Sequence, residues 1–165
     1  MSNAYKDWYN DLTEEQKKNY ELCMKYPFLI PSNRWTGKEV DDYEYEYTEL
    51  DAMPQGWRLA FGEQLCAELK EELEKADYLE DYRITDIKEK YGMLHWYDCG
   101  NTENGHKIIS KYESISRCIC IHCGKPATKI STSWISPWCD LCASQISDEM
   151  ANIEEWFEED MDGDN

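Results

Sequence analysis

The strongest periodic pattern in the chain is a run of apolar residues four apart: Trp57, Phe61, Leu65, Leu69 and Leu73. Residues at that spacing share one side of a helix, and proline suits a first helical turn. A long core helix starting at Pro54 is therefore predicted, with Ala60 and Cys66 widening its apolar stripe. Upstream, Thr13-Glu14-Glu15-Gln16 has capping-box spacing and predicts a shorter helix over Glu14 to Lys25, which Pro27 cannot continue. Between the two, Asp42-Tyr43-Glu44-Tyr45-Glu46-Tyr47-Thr48-Glu49 alternates strictly, predicting a strand with tyrosines on one face and carboxylates on the other. Downstream, Tyr82 to Lys90 and Met93 to Asp98 are two β-prone runs around Tyr91-Gly92, which predicts a hairpin packed on the long helix. After Asn104-Gly105, the residues Ile108, Ile109, Tyr112 and Ile115 predict a helix from about His106 to Ser116. Ile146, Met150, Ile153 and Trp156/Phe157 then mark an amphipathic helix that dissolves into an acidic tail ending near Asp164.

These elements add up to an α+β protein: a small helix-plus-β-hairpin domain with an appended four-cysteine zinc ribbon and an acidic C-terminal helix. The expected divisions are 1–53, an N-terminal helix and acidic Tyr/Glu strand; 54–117, the core helix, hairpin and connecting helix; 118–143, the ribbon; and 144–165, the acidic helix and tail. The opening Met1-Ser2-Asn3-Ala4 reads as an expression remnant and carries no structural expectation.

The ribbon rests on Cys120-x2-Cys123, fifteen intervening residues, and Cys139-x2-Cys142. Two such knuckles can deliver four thiolates to one tetrahedral ion, so one structural zinc is expected on Cys120, Cys123, Cys139 and Cys142. Gly124 follows the first pair, where a knuckle calls for a left-handed or crowded backbone. Four thiolates leave no coordination position for water, which argues against hydrolytic zinc chemistry. Deaminase chemistry is excluded on spacing, because Trp138 separates Pro137 from Cys139 and neither His95 nor His106 has a partner glutamate at the required place. Cys118 and His122 break the paired-knuckle geometry and are read as bystanders. The other cysteines, Cys23, Cys66 and Cys99, are expected to be reduced along with Cys118, since the chain shows no signal-peptide pattern and half its cysteines have metal spacing. With no apolar run long enough to span a bilayer, the expected location is the cytosol of a bacterial host.

The stretch Ile87-Lys88-Glu89-Lys90-Tyr91-Gly92 with Leu94 and Tyr97, the helix behind it, Cys120-x2-Cys123-Gly124, Trp134 and Cys139-x2-Cys142 together resemble a family of small phage and prophage proteins of unassigned activity. Gly56-Trp57 matches the Gly-Trp that leads the family's helix, so the resemblance covers roughly 54–142. The family often has a glycine where this chain has Met93, an arginine at His95 and a glycine at Ser133, so no functional arginine carries over to the hairpin. The resemblance implies a mobile-element origin and brings no reaction or ligand with it.

Charge changes the picture further. The 165 residues carry a formal net charge of −18. Such a balance disfavours direct binding to nucleic acid or an anionic membrane and points to a basic partner. The charge is blocked: from Glu39 to Asp51 there are seven acidic residues and no basic one, and from Ser144 onward nine and none. On a strand, Glu44 and Glu46 would project from one face about 6.8 Å apart, a regular negative line like a nucleic-acid backbone. Either this is a decoy for a nucleic-acid-binding protein, with Asp42, Glu44, Glu46, Glu49, Trp35, Glu158 and Glu159 as the contact set, or it is a solvated edge strand guarded by charge. The first reading, joined to the resemblance, gives a non-enzymatic phage-type protein that blocks a basic, nucleic-acid-binding host protein, with anti-defence activity such as anti-CRISPR inhibition as one instance.

Two rivals stand beside it. Between His106 and Pro137 five basic residues face only Glu113. Lys125, Lys129 and Trp134 on the ribbon could therefore contact nucleic acid, or this excess could dock the chain's own acidic tail. A magnesium-dependent nuclease built on the acidic strand has no histidine–carboxylate or nucleophile–base arrangement to support it. No catalytic residue is assigned, and the oligomeric state is open.

Overall fold

A computed structural model describes residues 2–33 and 35–162. The fold is α+β, with one main core and a small three-stranded sheet beside a four-cysteine cluster. The first helix, α1 (Asn3–Asp11), was not expected: Ser2 caps it by accepting from Tyr5 N, so Ser2, Asn3 and Ala4 are structural, while Met1 lies outside the described residues. Helix α2 (Glu14–Lys25) has the predicted capping box, in which Thr13 Oγ1 accepts from Gln16 N while Gln16 Oε1 accepts from Thr13 N.

The predicted strand over Asp42 to Glu49 does not form. Asp42 and Tyr45 take left-handed backbone, φ 54° and 61°, which breaks a period of two. No strand partner satisfies this segment; instead α2 reaches over, with Gln16 Nε2 donating to Glu44 O at 3.1 Å and Asn19 Nδ2 to Tyr45 O at 2.9 Å. The tyrosines make an aromatic cluster rather than a strand face. Tyr45 meets Tyr20 edge-on at 5.1 Å and Tyr43 at 4.9 Å, and Trp8 from α1 closes on both Tyr20 and Tyr45. Aromatic burial outweighed alternation here.

The long helix runs as α3 (Gln55–Trp57), a π turn (Arg58–Gly62) and α4 (Glu63–Lys75). The π turn has a physical reason. Each step of four overshoots a 3.6-residue turn by about 40°, so five apolar residues at that spacing would wind far around an ideal helix. The wider turn takes back part of the drift, and Trp57, Phe61, Leu65, Leu69 and Leu73 are all buried. Cys66 is buried too, whereas Ala60 is exposed and does not widen the stripe.

Strands β1 (Arg83–Lys90) and β2 (Met93–Cys99) form the predicted hairpin. Tyr91 and Gly92 both have positive φ, 53° and 78°, as a tight two-residue turn matching strand twist requires. A bulge between Ile84 and Asp86 lets Ile84 and Ile87, three apart, both face the core. Helix α5 (Glu103–Ser116) starts earlier than predicted, because Thr102 caps it by accepting from Gly105 N; Asn104-Gly105 lies in its first turn rather than before it. Ile109 and Tyr112 are buried, Ile108 packs partly against the core and Ile115 is exposed. The hairpin, the long helix and α5 share one hydrophobic core, and Leu94 N donates to the buried Ser116 Oγ at 2.9 Å.

In the C-terminal third, β3 (Lys129–Ser131) lies between β4 (Ser136–Trp138) and β5 (Met150–Asn152), all antiparallel. The short helix α6 (Asp140–Ala143) follows β4. The predicted helix over 146–157 is corrected: Met150 belongs to β5, and α7 begins only at Ile153, running to Asp162. Asn152 Oδ1 accepts from Glu154 N and Glu155 N and sets that start. Gly163 and Asp164, the end of the expected acidic tail, lie outside the described residues. Among the described residues no helix is long and apolar enough to cross a membrane.

Candidate metal centre

The sequence between the two cysteine pairs is too short to bury a core, so its geometry depends on what joins the pairs. Cys120 N donates to Lys125 O at 2.7 Å and Gly124 N to Cys120 O at 3.0 Å, closing the first knuckle around Gly124, whose φ is +82°. The second knuckle is the first turn of α6, where Cys142 N points at Cys139 Sγ, 3.4 Å away. The pairing of Lys129 with Trp138 then lays the strand that follows the first knuckle beside the strand that enters the second.

The result brings all four predicted ligands together. The Sγ atoms of Cys120, Cys123, Cys139 and Cys142 lie within 4.8 Å of one another. Cys123 and Cys139 are 3.6 Å apart, far beyond the ~2.05 Å of a disulfide and close to the edge of a tetrahedron with metal–sulfur bonds of about 2.3 Å. The surroundings shift the thiols in opposite directions. Burial raises the Cys120 thiol, but backbone N–H groups of Cys123, Cys139 and His122 outweigh it and bring the thiol down to about 7. Burial, together with the neighbouring Cys139, Cys123 and Cys120 sulfurs, pushes Cys142 up to about 12. Four sulfurs this close can all be thiolates only with a cation among them, and the set is able to hold one metal ion. Cys118 and His122 are outside the cluster. Cys99 and Cys118 are exposed, while Cys23 and Cys66 are buried in the core.

The first knuckle is also built into the main core, a feature that spacing alone did not reveal. Gly56 N donates to Ile121 O at 2.8 Å, and the indole Nε1 of Trp57 donates to Ile119 O at 3.0 Å. A Cβ on Gly56 would stand 2.1 Å from Cys120 O, and one on Gly124 2.6 Å from Gly56 O. Two glycines thus let the start of the long helix touch the metal knuckle backbone to backbone. A glycine inside a helix, where it costs about 1 kcal/mol against alanine, was the available sequence signal.

The predicted partner-binding residues are scattered by comparison. Asp42, Glu44 and Glu46 are exposed on the irregular loop, Glu49 opens a 3-10 turn, and the regular Glu44/Glu46 line disappears with the strand. Trp35 is 96% exposed in a turn pinned by Asn33 Oδ1. Glu158 and Glu159 are exposed on α7. Of the nucleic-acid set, Lys125 is exposed beside the knuckle and Lys129 enters β3 at that same end, whereas the exposed Trp134 sits in the turn at the other end. Part of the basic excess is used internally: Arg117 lies 4.4 Å over the Phe157 ring and 3.9 Å from Asp160, so α7 docks on it.

Neither a family model nor a curated protein nor a solved structure is significantly similar to the chain.

Proposed function

We propose that this is a non-enzymatic protein, held together by zinc, that binds a basic, nucleic-acid-binding protein through its acidic surface and blocks it. The observation that carries this reading is the outer side of α7. Glu154, Glu158 and Asp162 follow one another at four-residue steps, roughly 6 Å apart along the axis. Glu155 and Glu159 form a second row, and all five are exposed. The helix contains no basic residue, and its Ile153 is buried while Trp156 and Phe157 are half-buried, so its carboxylate face is presented outward. A regular negative line of this kind suits a surface that otherwise grips phosphates. The mimicry expected of the Asp42–Glu49 segment is thus better supported by α7. The resemblance to phage proteins makes a host defence component the leading class of partner, anti-CRISPR inhibition included.

Zinc is the ion we assign, since a site of thiolates alone in paired knuckles suits it; iron is the competitor. Elemental analysis of purified protein should find one zinc per chain and a colourless solution, and a coloured, iron-loaded protein would overturn the assignment. Four thiolates saturate the ion, consistent with no hydrolytic role.

The binding reading is tested by affinity capture of metal-loaded protein from bacterial lysate at low and high salt, with and without nuclease. A nucleic-acid-binding protein retained after nuclease and lost at high salt is the expected result. Retention that needs intact nucleic acid would instead favour direct contact through the ribbon, to which the exposed Trp134 lends support.

A further inference from the structure

The hairpin turn and the β3–β4 loop meet at Gly92, where a Cβ would lie 3.3 Å from Ile135 Cγ2. Above that contact opens a groove of about 430 Å³ walled by Tyr91 and Trp134 and floored by Ile135. Tyr91 and Trp134 are 77% and 73% exposed. Single exposed aromatics are ordinary, but two lining one groove make a recognition surface. The backbone that carries both walls is pinned by side-chain carboxylates. Glu89 Oε1 accepts from Gly92 N at 2.7 Å, and the Asp148 carboxylate accepts from Ser133 N at 3.3 Å and Trp134 N at 3.2 Å. A pinned backbone removes part of the ordering cost of binding.

The charge around the groove selects its occupant. Glu89 lies in its wall, and the Asp148 carboxylate sits 3.2 Å from Trp134 N at the base of the ring. Against these stands Lys90, whose ammonium lies 5.9 Å from the Tyr91 ring centroid. Among the described residues no cation sits over Trp134. The adjoining groove, lined by Tyr91, Ile135 and Phe157, already holds such a cation: Arg117 lies on Phe157 beside Asp160. We infer that the Tyr91–Trp134 groove receives an arginine side chain of the basic partner, its guanidinium stacked on Trp134 and its stem on Ile135. This rests on the reading that the partner is basic. Lysine fits less well, because its compact, strongly hydrated ammonium cannot stack as a plane.

The test uses the full metal-loaded chain and four probes: a glycine-spaced tri-arginine peptide, its lysine counterpart of equal charge, a neutral proline-rich peptide and a single-stranded oligonucleotide. Binding is followed by NMR of the indole N–H groups, with Trp134 assigned from Trp134→Ala. The arginine peptide should shift the Trp134 signal and bind roughly two- to fivefold more tightly than the lysine peptide, the range of a cation–π contact at an exposed ring. Trp134→Ala should erase that preference, and Lys90→Ala, which removes a competing cation, should strengthen binding. Equal affinity for both basic peptides, unmoved by Trp134→Ala, would sink the groove while leaving the acidic-surface reading intact. Preference for the proline-rich peptide or the oligonucleotide would assign the groove to another occupant and overturn the inference. Failure of either basic peptide to bind would count against both the groove and the basic-partner reading.

Discussion

Stripping the metal from the intact protein will open the main core as well as the ribbon. The ribbon's own core is little more than the four cysteines and Trp138, and a structural thiolate site contributes on the order of 10 kcal/mol or more, comparable with the ~5–15 kcal/mol that separates a folded domain from its unfolded chain. The loss spreads because Ile119 and Ile121, which flank Cys120, accept hydrogen bonds from Trp57 and Gly56 at the head of the long helix. Thiol alkylation reads the extent directly. The loaded protein should offer two fast thiols, the exposed Cys99 and Cys118. If chelation opened only the ribbon, the four ligands would join them and the reaction would stop at six. The expected count is eight, with Cys23 and Cys66 released from a core that keeps the Cys23 thiol up at about 11 by burial and raises Cys66 for the same reason. Cys142→Ser should reproduce the chelated state. A chelated protein that holds at six and keeps its melting temperature would show that the ribbon unfolds alone.

Trp57→Ala should be the most damaging single substitution outside the ligands. The side chain is fully buried among Phe61, Leu65 and the rest of the core. Truncating a buried tryptophan typically costs about 3–5 kcal/mol, and leaving the Ile119 carbonyl unpaired adds roughly 1–3 kcal/mol if water cannot reach it. The same carbonyl lies next to Cys120, so the variant should also release its metal to a chelator faster than the parent protein. Trp57→Phe keeps most of the volume and loses the N–H. It should recover much of the stability while still releasing metal faster, separating packing from the hydrogen bond. Denaturant melts and metal-transfer kinetics measure the two effects; a Trp57→Ala protein with unchanged metal release would show that knuckle and core are energetically independent.

The elements that were legible in the sequence share a property: each is decided by residues close together along the chain. The capping box of α2 is made by Thr13 and Gln16 themselves, the hairpin turn needs only Tyr91-Gly92, and the knuckles announce their ligands by spacing. The start of α7 was legible in principle at Asn152, with Glu155 three residues on, but a helical spacing that ran through Met150 concealed it. The 42–49 segment misled because alternation states only that two kinds of residue take turns. Whether a strand forms depends on a partner edge, and here α1 and α2 supplied an aromatic surface and side-chain donors instead.

By itself the sequence determined the α+β class, the buried stripe of the long helix, the hairpin and the four-cysteine cluster, because periodicity, turn chemistry and cysteine spacing are local and strongly directional. Only the tertiary structure decided what these parts touch. The backbone contact between Gly56 and the first knuckle, the third strand that ties 150–152 to the ribbon, the docking of α7 on Arg117 and the groove between Tyr91 and Trp134 all join residues far apart in the chain. Such contacts are chosen by complementary shape and charge once the local elements exist, and no pattern confined to one segment records them.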